Sequence, residues 1–230
     1  MEQICVYRAA ARATGPLLGA FFVVVLAAGR AGATPISVTG AVDPISAPAD
    51  ARLNTVLESN TLAPFFTEVT NSLLLGNLTV DFNAPGTYNA NPVSTNTIAA
   101  GTRVDSYYLV TDPIGSDPAN TRSFSGSITF NTDILGAIVL DPEFASSNGV
   151  VGHPGTLYSP NGVQLELGSP DAFTISADRR TLSFNFTSNT AADNVRIITA
   201  TSVPEPASIL LVASGLVGAY RYRKGSQRQS

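Results

Sequence analysis

Apolar and polar residues alternate with a period of two through much of the middle of the chain. Phe124, Ile128 and Phe130 are separated by small or polar residues, and the run from 182 to 186 repeats this pattern. Successive side chains of a strand point to opposite faces, so each of these segments should bury one face only. The pattern predicts β-strands, each with one face in a core.

Further segments share this composition: they are short, rich in β-branched and aromatic residues, and bounded by Gly, Pro, Asn or Asp. The predicted strands are residues 73–75, 78–82, 103–110, 123–130, 134–140, 163–167, 172–176, 181–187 and 195–200. Residues 172–187 form the clearest local unit, a hairpin connected through 177–180. Short strands at close intervals predict a mainly β fold, an antiparallel β-sandwich or jelly-roll-like ectodomain.

The segments before these strands are harder to assign. Residues 34–50 are rich in Ala, Pro and Ser, which predicts a flexible leader with at most an edge strand at 36–39. Residues 52–71 mix helical spacing with a proline, so we expect a short helix or turn. If the strand at 103–110 alternates, either Tyr107 or Tyr108 should face outward.

The amino-terminal residues have the order of a secretory signal. Arg8 and Arg12 precede an apolar run at 17–28, and Ala31 and Ala33 supply the small residues of a signal-peptidase site. We predict a signal peptide at 1–33, handled by the general secretory machinery and cleaved after Ala33. An uncleaved anchor is the alternative.

A second apolar run, residues 207–220, lies near the carboxyl end and has no charge. As a helix it would span about 21 Å, short of a hydrocarbon core of about 30 Å. It has no polar face, and basic residues follow it, which favours a single transmembrane helix over a docked hydrophobic tail. The residues predicted to form its cytoplasmic flank are Arg221, Arg223, Lys224 and Arg228.

A Pro-Glu-Pro triplet precedes this run. Pro204 and Pro206 hold Val203 and Glu205 in extended geometry, which a protease or transpeptidase cleft can clamp. The triplet, the apolar run and the basic end together resemble the PEP-CTERM sorting signal of bacterial surface proteins. That resemblance implies recognition at 203–206 by an exosortase, which removes the hydrophobic tail. Residues 101–108, 134–136 and 195–199 also resemble the extracellular region of such proteins, to which no activity is assigned.

The predicted segment boundaries divide the chain into a signal peptide (1–33), a leader (34–50), a β domain (51–202) and a sorting segment (203–230). Between the two processing points, six arginines stand against fifteen acidic residues, a formal charge of −9. A segment this acidic, without lysine, has no basic surface that could bind nucleic acid. The only cysteine, Cys5, lies in the signal, so disulfides and thiol catalysis are excluded from the exported part.

Motifs for catalysis are sparse. The single histidine, His153, lies between glycine and proline, where a turn is the commoner role. Acidic residues near predicted strand ends fit turn chemistry and, less well, calcium ligation; they are Asp112, Asp117, Asp133, Asp141, Asp171, Asp178 and Asp193. A hydrolase could use a pair of carboxylates, for which Glu58, Glu68, Glu143 and Glu166 remain open.

The function expected from these features is that of a secreted, non-enzymatic surface or extracellular-matrix protein, associated with exopolysaccharide or biofilm and without a cofactor or metal. It is exported, anchored transiently in the inner membrane, and then processed by exosortase. The alternatives are a carbohydrate-binding module, with Tyr107, Tyr108, Tyr88 or Tyr158 as an aromatic platform and calcium in its loops, and a polysaccharide-active hydrolase.

Overall fold

The computed structural model describes residues 35–115, 121–189 and 192–202. Their strands and helix are β1 (Pro35–Gly40), β2 (Val42–Pro44), β3 (Asp50–Ala51), β4 (Ala63–Leu73), β5 (Leu78–Val80), β6 (Gly86–Tyr88), β7 (Asn96–Ile98), β8 (Arg103–Thr111), β9 (Arg122–Phe130), β10 (Ile134–Ile138), α1 (Asp141–Val151), β11 (Leu157–Tyr158), β12 (Ala172–Ile175), β13 (Thr181–Ser188) and β14 (Asp193–Ala200). The prediction of a mainly β chain is confirmed.

Two five-stranded sheets carry most of these strands. The first sheet has the order β1-β9-β13-β12-β6, and all its neighbours are antiparallel. The second sheet has the order β10-β14-β8-β4-β2 and is antiparallel except at β2–β4. Two-stranded sheets pair β3 with β11 and β5 with β7.

The buried faces of both large sheets contribute to one hydrophobic cluster, the first core. Phe124, Ile128 and Phe130 reach it from β9, and Leu109 and Ile197 reach it from the second sheet. The prediction that alternate residues of β9 and β13 are buried is confirmed: Phe124, Ile128 and Phe130 are fully buried, and residues 182, 184 and 186 are at most 5% exposed.

A second core covers the other face of the second sheet. Phe144 and Val151 of α1 pack there against Tyr108 and Ile198, together with residues of β5 and β7. Strand β8 is therefore buried on both faces, from Val104 to its end. The prediction that Tyr107 or Tyr108 faces outward is wrong, because Tyr107 lies in the first core and Tyr108 in the second.

The hairpin predicted at 172–187 is confirmed. Strands β12 and β13 pair antiparallel, with Phe173 opposite Phe184 and Ile175 opposite Leu182. Ala177 and Asp178 form the centre of its turn, which the Arg179 N–H closes by donating to the Ser176 carbonyl at 2.8 Å, and Arg179 adopts a left-handed φ of 60°. The register therefore places the alternating apolar residues of both strands on one face.

The structure differs from expectation before residue 74. The predicted leader forms β1 at the edge of the first sheet and β2 at the edge of the second, so only the edge strand at 36–39 was anticipated. Of the helix or turn expected at 52–71, the turn is observed at 53–57, but residues 63–71 belong to β4, the longest strand described. Packing of Phe65 and Phe66 into the two cores outweighs the local helical spacing.

Two further differences concern the segment after β10. The helix α1 was not predicted, because Ser146, Ser147, Asn148 and Gly149 are poor helix formers, although Pro142 and two acidic residues suit its first turn. The residues of the strand predicted at 163–167 do not form a strand in the structure. Its only pairing described is an isolated bridge from Gln164 to Asn194.

No helix among the described residues is both long enough and apolar enough to cross a membrane. The helices predicted for the signal peptide and for residues 207–220 lie outside the described residues.

Candidate functional site

The carboxyl end of the fold is held inside the second sheet. Strand β14 lies between β10 and β8, so it has a hydrogen-bonded neighbour on each side. The Ala200 N–H donates to the Asp133 carbonyl at 2.8 Å, and the Thr201 N–H donates to the Arg103 carbonyl at 3.2 Å. The Thr201 hydroxyl also donates to Asp105 Oδ1 at 2.9 Å. Hydrogen bonds to the sheet therefore continue to Thr201, two residues before the predicted sorting segment.

The predicted processing residues themselves lie outside the described residues, so their geometry is not tested. They are Val203, Pro204, Glu205 and Pro206 of the sorting site, Arg221, Arg223, Lys224 and Arg228 of the basic flank, and Ala31 and Ala33 of the signal cleavage site.

Carboxylates at the strand ends accept hydrogen bonds from backbone N–H groups. Asp141 accepts from Gly162 and Val163 at 2.7 and 3.1 Å, and Asp112 accepts from Asn54 at 2.8 Å. Asp171 accepts from the Thr187 N–H on β13, and Asp178 accepts from the Arg180 N–H within its own turn. Asp178 therefore shows the turn chemistry expected of Asp near strand ends, whereas Asp112, Asp141 and Asp171 hold segments that are distant in sequence.

The described parts of the chain hold no cluster of three or more His, Cys, Asp or Glu side chains placed to bind a metal ion. Asp133 forms an exposed ion pair with Arg180 at 3.7 Å. Asp117 lies outside the described residues.

Burial raises the pKa of several carboxyls among the described residues, including Asp81, Asp112 and Asp193. Burial, with a smaller contribution from the charges of Asp171 and Glu166, raises the pKa of Asp193 to about 7. Burial, with the charge of Glu58, raises the pKa of Asp112 to about 6. Both residues lie where β8 ends and β14 begins, the end of the second sheet opposite Thr201.

A buried ion pair that the sequence analysis missed joins the centre of the second sheet to α1. The Arg196 guanidinium donates to both oxygens of Glu68, at 2.7 Å from Nε and 2.8 Å from Nη2. Both side chains are fully buried. Arg196 also donates to the Asn148 side chain at 2.8 Å and to the hydroxyl of Ser147. The pair therefore supplies hydrogen-bond partners to the polar middle of α1, which explains how such a sequence remains helical.

Aromatic rings surround the Arg196 guanidinium. Its central carbon lies 5.3 Å from the ring centroids of Tyr108 and Tyr158 and 5.5 Å from that of Phe144. Burial alone lowers the pKa of Arg196, but the charge and hydrogen bonds of Glu68 outweigh it and the net shift is upward. Arg196 is thus a permanently charged structural group. The signal that could have revealed it is an arginine within the apolar run 195–198.

Most of the remaining candidates for chemistry have structural partners. His153 Nδ1 lies 2.9 Å from the Thr156 hydroxyl, and the backbone N–H of His153 donates to the Tyr158 hydroxyl at 2.8 Å. Glu58 accepts a hydrogen bond from the Gly115 N–H at 3.0 Å. Glu166 accepts from the Gln164 side chain at 3.4 Å, whereas Glu143, on α1, has a buried Oε2 without a hydrogen-bond partner among the described residues. Tyr107 and Tyr108 are buried in the cores, so they cannot belong to the predicted aromatic platform.

The decisive observation for function lies in the carboxyl-terminal segment. Residues 202–224 match the family of the PEP-CTERM protein-sorting motif. The chain carries a PEP-CTERM sorting motif. The match begins at Ser202, the last described residue, so the PEP-CTERM motif follows directly on the folded sheet. It includes the Pro-Glu-Pro triplet, and Arg228 lies beyond its last residue.

The PEP-CTERM motif marks the chain as an exported, surface-directed protein with exosortase as its processing enzyme. No curated protein and no solved structure matches the chain. The motif therefore describes how this protein is sorted, and the role of the β domain must be argued from its own residues.

Proposed function

We propose that the protein is a secreted surface or extracellular-matrix component that exosortase processes at Pro204-Glu205-Pro206. The observation that carries the proposal is the PEP-CTERM match at residues 202–224. Before processing, the apolar run 207–220 anchors the chain transiently in the inner membrane, and Arg221, Arg223 and Lys224 hold its far end in the cytoplasm. The chain is then the substrate, and its triplet is what the enzyme reads.

The structure of the residues before the triplet supports its recognition as an extended peptide. Hydrogen bonds hold the chain to the second sheet as far as Thr201, and the prolines of the triplet favour extended geometry in the residues that precede them. An extended peptide attached to a folded body offers a cleft its backbone without competing secondary structure.

We further propose that the two large sheets form a sandwich around the first core and that this domain is a passive matrix component, associated with exopolysaccharide and not an enzyme. The use of strand-end carboxylates as acceptors for backbone N–H groups supports a structural role for them. The position of Arg196, the largest fully buried side chain described, supports the same conclusion, since its hydrogen bonds go to Glu68 and α1.

The intact mass of the protein recovered from its native cell surface tests the sorting proposal. We expect a carboxyl terminus near the triplet and loss of the 207–230 tail. Glu205→Ala should accumulate as the full-length form in the membrane fraction, whereas Ser202→Ala, a substitution two residues before the triplet, should be processed normally. A mature native species that retains Arg228, or normal processing of Glu205→Ala, would overturn the proposal.

A further inference from the structure

Both ends of the described chain leave the β domain on the same side. Pro35, the first described residue, is paired with Phe130 at the end of β9. Strand β10 begins four residues later at Ile134, which is paired with Thr199 of β14. The segments that connect to the predicted signal and to the sorting motif therefore emerge side by side. We call this side the exit end; it comprises Pro35, the connections 74–77, 99–102, 131–133 and 177–180, and residues 200–202.

The exit end displays exposed apolar side chains. Leu75 is 91% exposed and Leu73 is 44% exposed. Leu73 is paired with Arg103 on β8, and the Arg103 carbonyl accepts the Thr201 N–H from the next strand. At about 4.8 Å per strand, Leu73 lies roughly 10 Å from the point where the sorting segment begins.

The two ends of the domain also differ in charge. Arg103, Arg179 and Arg180, half of the arginines between the processing points, lie at the exit end. Their polar contacts are the Asn71 carbonyl and side chain for Arg103, the carbonyls of Ile134 and Asn83 for Arg179, and Asp133 for Arg180. The exit end also carries Asp133 and Asp178, so its formal charge is 3 − 2 = +1. The opposite end carries Arg122 together with Asp112, Asp171 and Asp193 at its strand ends. An anionic surface would therefore favour contact through the exit end over contact through the opposite end.

The connection to the apolar run is short. Ser202 and Ala207 are five residue steps apart, which span at most about 17 Å when the chain is fully extended. While the run 207–220 is in the bilayer, the exit end must stay within this distance of the lipid headgroups. A tether of this length makes even a weak contact effective, because the local concentration of the surface is high.

We propose that the exit end is a membrane-contact surface, which rests on anionic phospholipid headgroups while the sorting tail is still attached. Leu75 enters the interface beside Leu73, and Arg103 and Arg180 face the phosphates. This inference rests on the proposed membrane anchoring of the tail. It gives the domain a fixed orientation, with the Pro-Glu-Pro triplet held between the bilayer and the exit end.

The test uses the full chain with Cys5→Ser, so that single cysteines can carry a fluorescent label. Leu75→Cys places the label at the exit end, and Val56→Cys, at a residue 70% exposed beside the Asp112 end, provides the matched control. Both chains are reconstituted into vesicles that contain phosphatidylglycerol and a lipid with a spin-labelled headgroup. Because a side chain at the headgroup boundary contacts this quencher, we expect about threefold stronger quenching at position 75 than at position 56.

A second variant tests the contribution of the side chains. With the label at Ala100→Cys, in the neighbouring connection, adding Leu75→Asp and Arg103→Glu should lower the quenching toward the level at position 56. Flotation of the vesicles distinguishes the two proposals, the membrane anchoring of the tail and the membrane-contact surface. A chain that does not float with the vesicles overturns the anchoring proposal together with this inference. A chain that floats but shows equal quenching at 75 and 56, or quenching at 100 insensitive to the double change, overturns the membrane-contact surface alone.

Discussion

At the scale of single residues, Arg196 and Glu68 are the pair whose loss should matter most. Each supplies the only opposite charge that the structure shows within salt-bridge distance of the other, in a fully buried position. Arg196→Met leaves the Glu68 carboxylate buried without its partner and the polar middle of α1 without its donors. We expect a loss of about 3–5 kcal/mol in the free energy of unfolding, measured by urea denaturation.

The control for this change is Arg52→Met, which removes an exposed ion pair with Asp50 and should leave the unfolding midpoint nearly unchanged. Combining Arg196→Met with Glu68→Leu should recover part of the stability, because the unpaired charge is then removed as well. If Arg196→Met were no more destabilising than the Arg52 control, the pair would not stabilise the junction of sheet and helix.

Asp193 gives a prediction about pH. Its folded pKa of about 7 lies above the ordinary value of 3.8, so the folded state binds a proton that the unfolded state has released between these values. Stability from this group is complete below pH 4 and decreases as the pH rises to 7. Asp193→Asn should remove about 1–3 kcal/mol of the loss that the native protein shows between pH 5 and pH 8.

The measurement is the free energy of unfolding at several pH values for the native protein and the variant. Asp178→Asn is the control, because Asp178 is exposed and hydrogen bonds from Ser176 and Arg180 lower its pKa. Its effect on the slope between pH 5 and 8 should be small. Parallel pH profiles for Asp193→Asn and the native protein would show that Asp193 ionises normally in the folded state.

At the scale of elements, the edge strand β1 depends on a glycine in its neighbour. A Cβ at Gly126 of β9 would lie 2.5 Å from the Thr39 carbonyl and 3.0 Å from Val42 Cγ2. Gly126→Ala must therefore push β1 away from β9. We expect faster amide hydrogen exchange in residues 35–40 and a loss of about 1–3 kcal/mol in stability.

Gly76→Ala is the matched substitution, because a Cβ there has no neighbour within 4 Å. It should leave hydrogen exchange in β1 as it is in the native protein. Native-like protection of residues 35–40 in Gly126→Ala would mean that β1 is not held by close contact with β9.

These elements show which parts of the fold the sequence could predict. The hairpin β12–β13 was predictable, because its turn and its alternating residues lie within one short segment. Strand β4 was not, since what makes Phe65 and Phe66 strand residues is their contact with two cores built from distant segments. For the same reason, alternation failed in β8: α1, β5 and β7 cover a face that the pattern alone assigns to solvent.

The same distinction holds for the functional residues. The sorting motif could be recognised because its triplet, apolar run and basic end are contiguous in sequence. The Arg196–Glu68 pair joins residues far apart along the chain, and only the mutual register of β4, β8 and β14 brings them together. No sequence pattern near Glu68 indicates that Arg196 is its partner.

At the scale of the whole molecule, the distance between the fold and the triplet should control processing. Thr201 is hydrogen-bonded to the sheet, and Ser202 lies between it and Val203. Deleting Thr201 and Ser202 would join the motif to Ala200, so that an enzyme cleft could clamp the triplet only after the end of β14 separates from β8 and β10. Opening one or two strand pairs costs about 1–2 kcal/mol, which predicts processing slower by roughly 5–30-fold in pulse–chase experiments that follow the loss of the tail.

Replacing the same two residues with Gly-Ser keeps the length and should keep the rate near that of the native chain. Native-rate processing of the deletion would show that the enzyme does not need the extended connection, and would place its contacts wholly beyond Val203.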